Sequence, residues 1–194
     1  MHSGNQFCIQ LREFKVSTPH LSERINVISE KGVPNYFGEQ RFGRNGNNLV
    51  EVQNLVDIDK LKGNRKGTGL YLSAARSWLF NLTLAECINK QLITNFEFHK
   101  EIGALWGRGR SCSSLQIAEL EERVLDDWRD WCYALEHSGL GQQSRSLIVR
   151  PNNLTFKEID KGNWLLEFSL PKGSYATVML REIAQLSRSI EHRL

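Results

Sequence analysis

A mixed α+β fold is predicted, with a sheet domain broken open by a largely helical insertion. Three observations carry this reading. From Asn5 to Arg12, Phe7, Ile9 and Leu11 fall at alternate positions, the period of a half-buried strand. From Asn163 to Leu170, Trp164, Leu166 and Phe168 alternate in the same way. Helix-type sequence follows each strand, and a long, mostly helical block separates the two strand–helix units.

In chain order, Thr18-Pro19 ends the first strand, and Ser22 is placed to cap a helix that runs to about Lys31 with Ile25 and Ile28 inward and Gly32 as its stop. A glycine-rich loop follows, then a turn at Asn45-Gly46-Asn47-Asn48 and a short helix over 49–57. Leu61 to Gly69 is polar, basic and glycine-rich, and reads as a loop. The strongest helix covers 70–92, with Leu72, Ala75, Leu79, Leu82 and Ile88 as its apolar stripe. Residues 94–114 are irregular in pattern and hold Trp106-Gly107-Arg108-Gly109-Arg110. A second helix is expected over 115–137, acidic on one face, with Ile117, Leu120, Val124, Trp128 and Trp131 toward the core. Residues 144–150 read as a helix tail or short strand. Pro171-Lys172-Gly173 turns the chain after the second alternating strand, and Ser174 caps a last helix from about Tyr175 to Arg188.

Composition is that of a soluble protein, with 40% hydrophobic and 24% charged residues. There is no apolar run of about 18 residues to span a membrane and no secretory leader pattern. Cys8, Cys87, Cys112 and Cys132 are too far apart for a zinc site and read as reduced, mostly buried thiols of a cytoplasmic protein. The histidines are dispersed, and no metal site is assigned. Net charge is only +3, but residues 31–110 carry twelve Lys/Arg against seven Asp/Glu, while 111–150 carry four against seven. A basic middle suits a phosphate-rich partner, although a solvated surface of mixed charge would read the same way.

The most unusual stretch runs from Gly32 to Gly43, Gly-Val-Pro-Asn-Tyr-Phe-Gly-Glu-Gln-Arg-Phe-Gly. Glycines allow close backbone approach and Pro34 fixes a turn. Tyr36, Phe37 and Phe42 offer flat faces for bases, and Arg41 offers charge for phosphate. The residues alone describe a shaped loop for nucleic acid.

This loop closely resembles the opening of the insertion domain in the TruD family of tRNA pseudouridine synthases. Three more stretches match that family in order. They are Gly4-Asn5-Gln6-Phe7 (Gly-Asn-x-Phe), the helix start Leu72-Ser73-Ala74-Ala75-Arg76-Ser77, and Leu170-Pro171-Lys172-Gly173-Ser174-Tyr175-Ala176-Thr177 with Arg181-Glu182 after it. The resemblance implies a pseudouridine synthase catalytic domain in two pieces, 1–31 and 150–194, around an insertion domain at 32–149. It implies isomerisation of a uridine in tRNA, expected at position 13, without a metal or organic cofactor.

By motif position the resemblance places substrate contacts on Asn5 and Tyr175, with Phe7 on the same strand as Asn5. An amide suits a uracil edge, and an aromatic ring suits stacking. On residue type alone, Asn5 could simply end a strand and Phe7 could be core. Arg41, Arg76, Arg108 and Arg110 are the tRNA-backbone candidates, and each could instead pair with a carboxylate. The family's nucleophilic aspartate belongs to a Gly-x-Lys-Asp motif that these residues do not contain. Asp57 and Asp59 match nothing catalytic. The expectation is therefore an N-terminally truncated, inactive fragment, whose sheet shares strands with a missing segment that could act in trans. The alternatives are a non-catalytic RNA-binding module and a partner-binding domain that uses the acidic helix.

Overall fold

The computed structural model describes residues 4–13, 18–57, 59–61, 67–93 and 101–183. In chain order the elements are β1 (Gly4–Leu11), α1 (Thr18–Lys31), β2 (Val33–Pro34), α2 (Asn47–Asp57), α3 (Thr68–Asn89), β3 (Ile102–Leu105), α4 (Leu115–Val124), α5 (Arg129–Glu136), β4 (Gln143–Ser146), β5 (Ile148–Val149), β6 (Asn152–Asp160), β7 (Asn163–Pro171) and α6 (Ala176–Ile183). The fold is α+β. The chain divides into two compact units, Met1–Val33 with Val149–Leu194, and Pro34–Ile148.

The first unit is an antiparallel sheet in the order β1-β7-β6, with α1 and α6 contributing to its core. Phe7 pairs with Phe168, Ile9 with Leu166 and Leu11 with Trp164. The alternation read from the sequence therefore aligns on one face. Trp164, Leu166, Phe168 and Leu170 are buried beneath Leu21, Ile25 and Ile28 of α1 and Met179 and Ile183 of α6. The opposite face carries exposed Gln6, Cys8, Gln10 and Glu167. Gly4 permits the close approach of β1, since a Cβ there would collide with the carbonyl oxygen of Leu170.

The second unit is built around α3, which is buried on two sides. Leu72, Ala75 and Leu79 face α2 and α5, with Val52, Trp131 and Leu135. Phe80, Leu84 and Cys87 face Ile117, Leu120 and Leu147 on the other side. Thr68, Ser77 and Thr83 are buried as well. Burial pushes the thiols of Cys87 and Cys132 up to about 12, so they behave as small apolar groups.

Several sequence expectations are corrected. Helix α1 begins at Thr18, four residues before Ser22, because proline is tolerated in the first helical turn. The helix expected over 115–137 is two helices, separated by a 3-10 turn at Asp126–Trp128. Within the stretch read as irregular, Ile102–Leu105 forms a strand antiparallel to Gln143–Ser146. Strand β6 was not foreseen, although Asp160-Lys161-Gly162-Asn163 is a turn signal that joins it to β7. Ile88 lies on the exposed side of α3, and Cys8 and Cys112 are exposed. Residues 62–66 of the expected basic loop, and the last turns expected of the C-terminal helix, lie outside the described residues.

Candidate functional site

The residues singled out in the sequence are divided between the two units. In the first unit, Asn5 opposes Leu170 in the β1–β7 register. It shares the core face with Phe7, Ile9 and Leu11, since residues two apart on a strand point the same way. Asn5 is nevertheless exposed, at the end of that face. Tyr175, half-buried, follows Pro171 at the same end of β7, and its carbonyl accepts the amides of Val178 and Met179 in the first turn of α6. Phe7 stacks on Phe168 with centroids 5.2 Å apart. It is a core wall with one partly open side.

In the second unit the glycine-rich loop is clamped from below. Asn81 of α3 holds Phe37 at both ends: its Oδ1 accepts the Phe37 amide at 2.9 Å and its Nδ2 donates to the Phe37 carbonyl at 3.0 Å. Buried Asn35 donates to the Ser146 carbonyl and accepts from Arg145. The guanidinium of Arg145 lies 4.0 Å from the centroid of Phe37, whose edge meets Phe80, a favourable cation–π geometry. Phe42 is buried edge-on against Trp78. Its face is therefore closed to a base, and it anchors the loop. Arg41 donates to Ser73 Oγ at 3.1 Å and sits near the Phe37 ring.

Arg108 and Arg110 are exposed on a segment fixed at both ends. Upstream, the Gly107 amide donates to Gln142 Oε1, and Arg108 exchanges backbone bonds with Leu140 and Gln142. A Cβ on Gly107 would lie 2.7 Å from the Gly141 carbonyl, so this crossing needs glycine. Trp106 Nε1 donates to Glu136 at 2.9 Å. Downstream, Ser111 and Ser113 each donate at 2.9 Å to the carboxylate of Glu121, which also accepts the Ala104 amide at 2.7 Å. Glu121 is almost fully buried. Burial raises its pKa, against the lowering effect of those three donors.

Arg76 meets a different fate from the one expected of a phosphate contact. It is buried, and it donates to the carbonyls of Leu105 and Gly141 and to Gln143 Oε1. Desolvation lowers its pKa. Among the described residues, no group of three or more His, Cys, Asp and Glu side chains is gathered to hold a metal ion, and no helix is long and apolar enough to cross a membrane. Asp57 is exposed at the end of α2 and accepts from Gln53.

The family model described as tRNA pseudouridine synthase D (TruD) matches residues 1–62 and 100–183. This chain belongs to the TruD family. The tRNA pseudouridine synthase D of Cellvibrio japonicus is 38% identical over 191 residues, which cover 96% of this chain and 57% of that protein. The Aeromonas hydrophila protein of the same name is 34% identical over 94% of this chain and 59% of its own length. The chain thus spans just under three fifths of these TruD relatives. A solved structure described as tRNA pseudouridine synthase D (TruD) from Methanosarcina mazei superposes with a TM-score of 0.66 at 17% identity, covering 93% of this chain and 68% of that one, which supports a TruD fold. Asn5, Phe7, Arg41, Arg108, Arg110 and Tyr175 lie within the stretches matched by the TruD model, and Arg76 lies between them.

Sequence reasoning missed Arg145, Gln142 and Glu121. Nothing in the local pattern marks them, since their partners are distant in sequence: Arg145 holds Asn35 and Phe37, Gln142 holds Gly107, and Glu121 holds Ala104, Ser111 and Ser113. Asn81 lies on the helix expected over 70–92, but its partner was not legible there.

Proposed function

We propose that these residues form the tRNA-holding part of a TruD-type tRNA pseudouridine synthase and one wall of its uridine pocket. Residues 32–149 act as the insertion domain, and the pieces at 1–31 and 150–194 belong to the catalytic domain. The observation that carries this reading is the placement of Asn5: a polar side chain on the core face of β1, exposed at the end where the Tyr175 turn begins. A flipped uracil needs such an amide–aromatic pair. In the reaction the N1–C1′ bond breaks, the base turns, a C5–C1′ bond forms, and the C5 proton is exchanged for one on N1. A positioned carboxylate is required, and no Gly-x-Lys-Asp occurs in these residues. We therefore assign it to a segment outside them. The setting is the cytoplasm, the substrate is tRNA, and uridine 13 is the expected target.

The test is incubation with an unmodified tRNA transcript followed by nucleoside analysis. The chain alone is expected to yield no pseudouridine, and a relative's segment carrying Gly-x-Lys-Asp, added in trans, is expected to restore product. Product from the chain alone would overturn the assignment. Binding without product in either arm would favour the second reading, an RNA-binding module without catalysis, for which the absent motif is the motivating observation.

Arg108 and Arg110 are proposed to bind tRNA phosphates. Replacing both by alanine is expected to flatten the slope of log K against log salt by about one for each phosphate that is no longer neutralised. An unchanged slope would return them to a structural role.

A further inference from the structure

Tyr133 is the one Phe, Tyr or Trp among the described residues that stands exposed, 62% open on α5. Its ring is nevertheless held. It lies against the imidazole of His137, with centroids 4.1 Å apart and planes tilted by 33°. His137 Nδ1 is 2.8 Å from the Tyr133 carbonyl. A carbonyl only accepts, so Nδ1 carries a proton and donates it, which fixes the imidazole against the tyrosine. Two independent ties bring the arginine segment to this end of α5. Trp106 Nε1 donates to Glu136 at 2.9 Å, and Arg108 exchanges backbone hydrogen bonds of 2.9 Å with Leu140 and Gln142. Arg108 and Arg110 are exposed, and neither pairs with a carboxylate among the described residues. An open ring pair beside two such cations supplies what a single strand of nucleic acid binds to, a flat apolar face and a positive track for its backbone.

We propose that Tyr133 and His137 form a stacking platform for one unpaired base of RNA, whose neighbouring phosphates lie on Arg108 and Arg110. The inference rests on the RNA-binding reading above and adds a base contact to it. Charge decides which part of the RNA meets the rings. Asp130 and Glu136 stand three residues to either side of Tyr133, a spacing that makes them its neighbours on the helix surface. They repel a phosphate placed over the rings, so the uncharged base goes to the rings and the phosphates to the arginine side. The platform is two rings wide with charge on both flanks, which suits one flat base and not the broad apolar patch of a protein interface. Every base has a stacking face, so the platform selects for an unpaired nucleotide and not for a particular base.

The experiment follows the ring resonances of Tyr133 and His137 in the full 194-residue chain during titration with hexauridylate and, separately, with linear polyphosphate. Hexauridylate is expected to shift both rings and to give intermolecular contacts from uracil H5 and H6 to the Tyr133 ring, whereas polyphosphate leaves the rings in place. Tyr133→Ala removes an exposed side chain and should keep the urea midpoint of the wild type. It is expected to weaken binding of a tRNA transcript about tenfold, the scale of one lost base stack, with no change in the slope of log K against log salt, because no phosphate contact is lost. Tyr133→Phe keeps the ring and should bind as the wild type does. Ring shifts with polyphosphate alone, no base contacts to Tyr133 or His137, or an unchanged affinity in Tyr133→Ala would overturn the proposal. The wild-type transcript titration judges the RNA reading separately: tRNA bound equally well by Tyr133→Ala sinks the platform and spares that reading, and no tRNA bound by the wild type sinks both.

Discussion

Phe168→Ala is expected to destabilise the sheet unit by about 3–5 kcal/mol, the usual cost of removing a fully buried aromatic ring. Phe168 is 2% exposed and lies on β7, the central strand of three, with Phe7 of β1 stacked on it. The cavity would open directly beneath the β1–β7 pairing. In native-state hydrogen exchange, amides of β1, β6 and β7 should lose protection together, while those of α3, whose core lies in the other unit, keep theirs. A change below about 1 kcal/mol, or an equal loss in α3, would mean that the sheet does not behave as its own cooperative block.

Glu121→Ala is the second large effect expected, at about 3 kcal/mol. It would strand the buried Ala104 amide, release both serine hydroxyls and leave a void. Glu121→Gln keeps an acceptor for the Ala104 amide and removes the charge, so the two variants separate hydrogen bonding from ionisation. The folded carboxyl is raised above its ordinary 4.5, chiefly by burial. Below 4.5 it is protonated in both folded and unfolded chains and carries no ionisation penalty. As pH rises from 4.5 through the folded pKa, the unfolded chain loses its proton first. Stability then falls, and it levels off above that pKa. The stability of the wild type minus that of Glu121→Gln should follow this descent in urea titrations at a series of pH values. A flat difference, or one rising with pH, would show that the three donors outweigh burial. Because Ser111 and Ser113 tie down the segment bearing Arg108 and Arg110, Glu121→Ala should also loosen that segment.

What the sequence discloses depends on how local the cause is. The strands holding Phe7 and Phe168 were legible because the period of two is written into a few residues and one face is dry. The first stripe of α3 was legible for the same reason. Its second stripe, Phe80, Leu84 and Cys87, was hidden because a helix buried on both sides has little amphipathic contrast. Strand β3 was hidden because Ile102-Gly103-Ala104-Leu105 has weak strand propensity, and its pairing with β4 lies some forty residues away. At the candidate site, the family resemblance named Asn5 and Tyr175, and charge named the arginines, which burial then sorted. Arg76 and Phe42 turned inward, while Arg108 and Arg110 remained at the surface.

The second unit starts and finishes at one spot. The Asn35 amide donates to the Leu147 carbonyl at 2.8 Å, and the Asn35 side chain donates to the Ser146 carbonyl at 2.8 Å. To the chain on either side, the whole unit is therefore a single closed loop. Since the entropy of closing a loop grows only with the logarithm of its length, roughly 0.6 kcal/mol per doubling, the sheet is nearly indifferent to what hangs from that junction. Such a junction lets a chain acquire, enlarge or trade an inserted unit while its sheet keeps the same strand register.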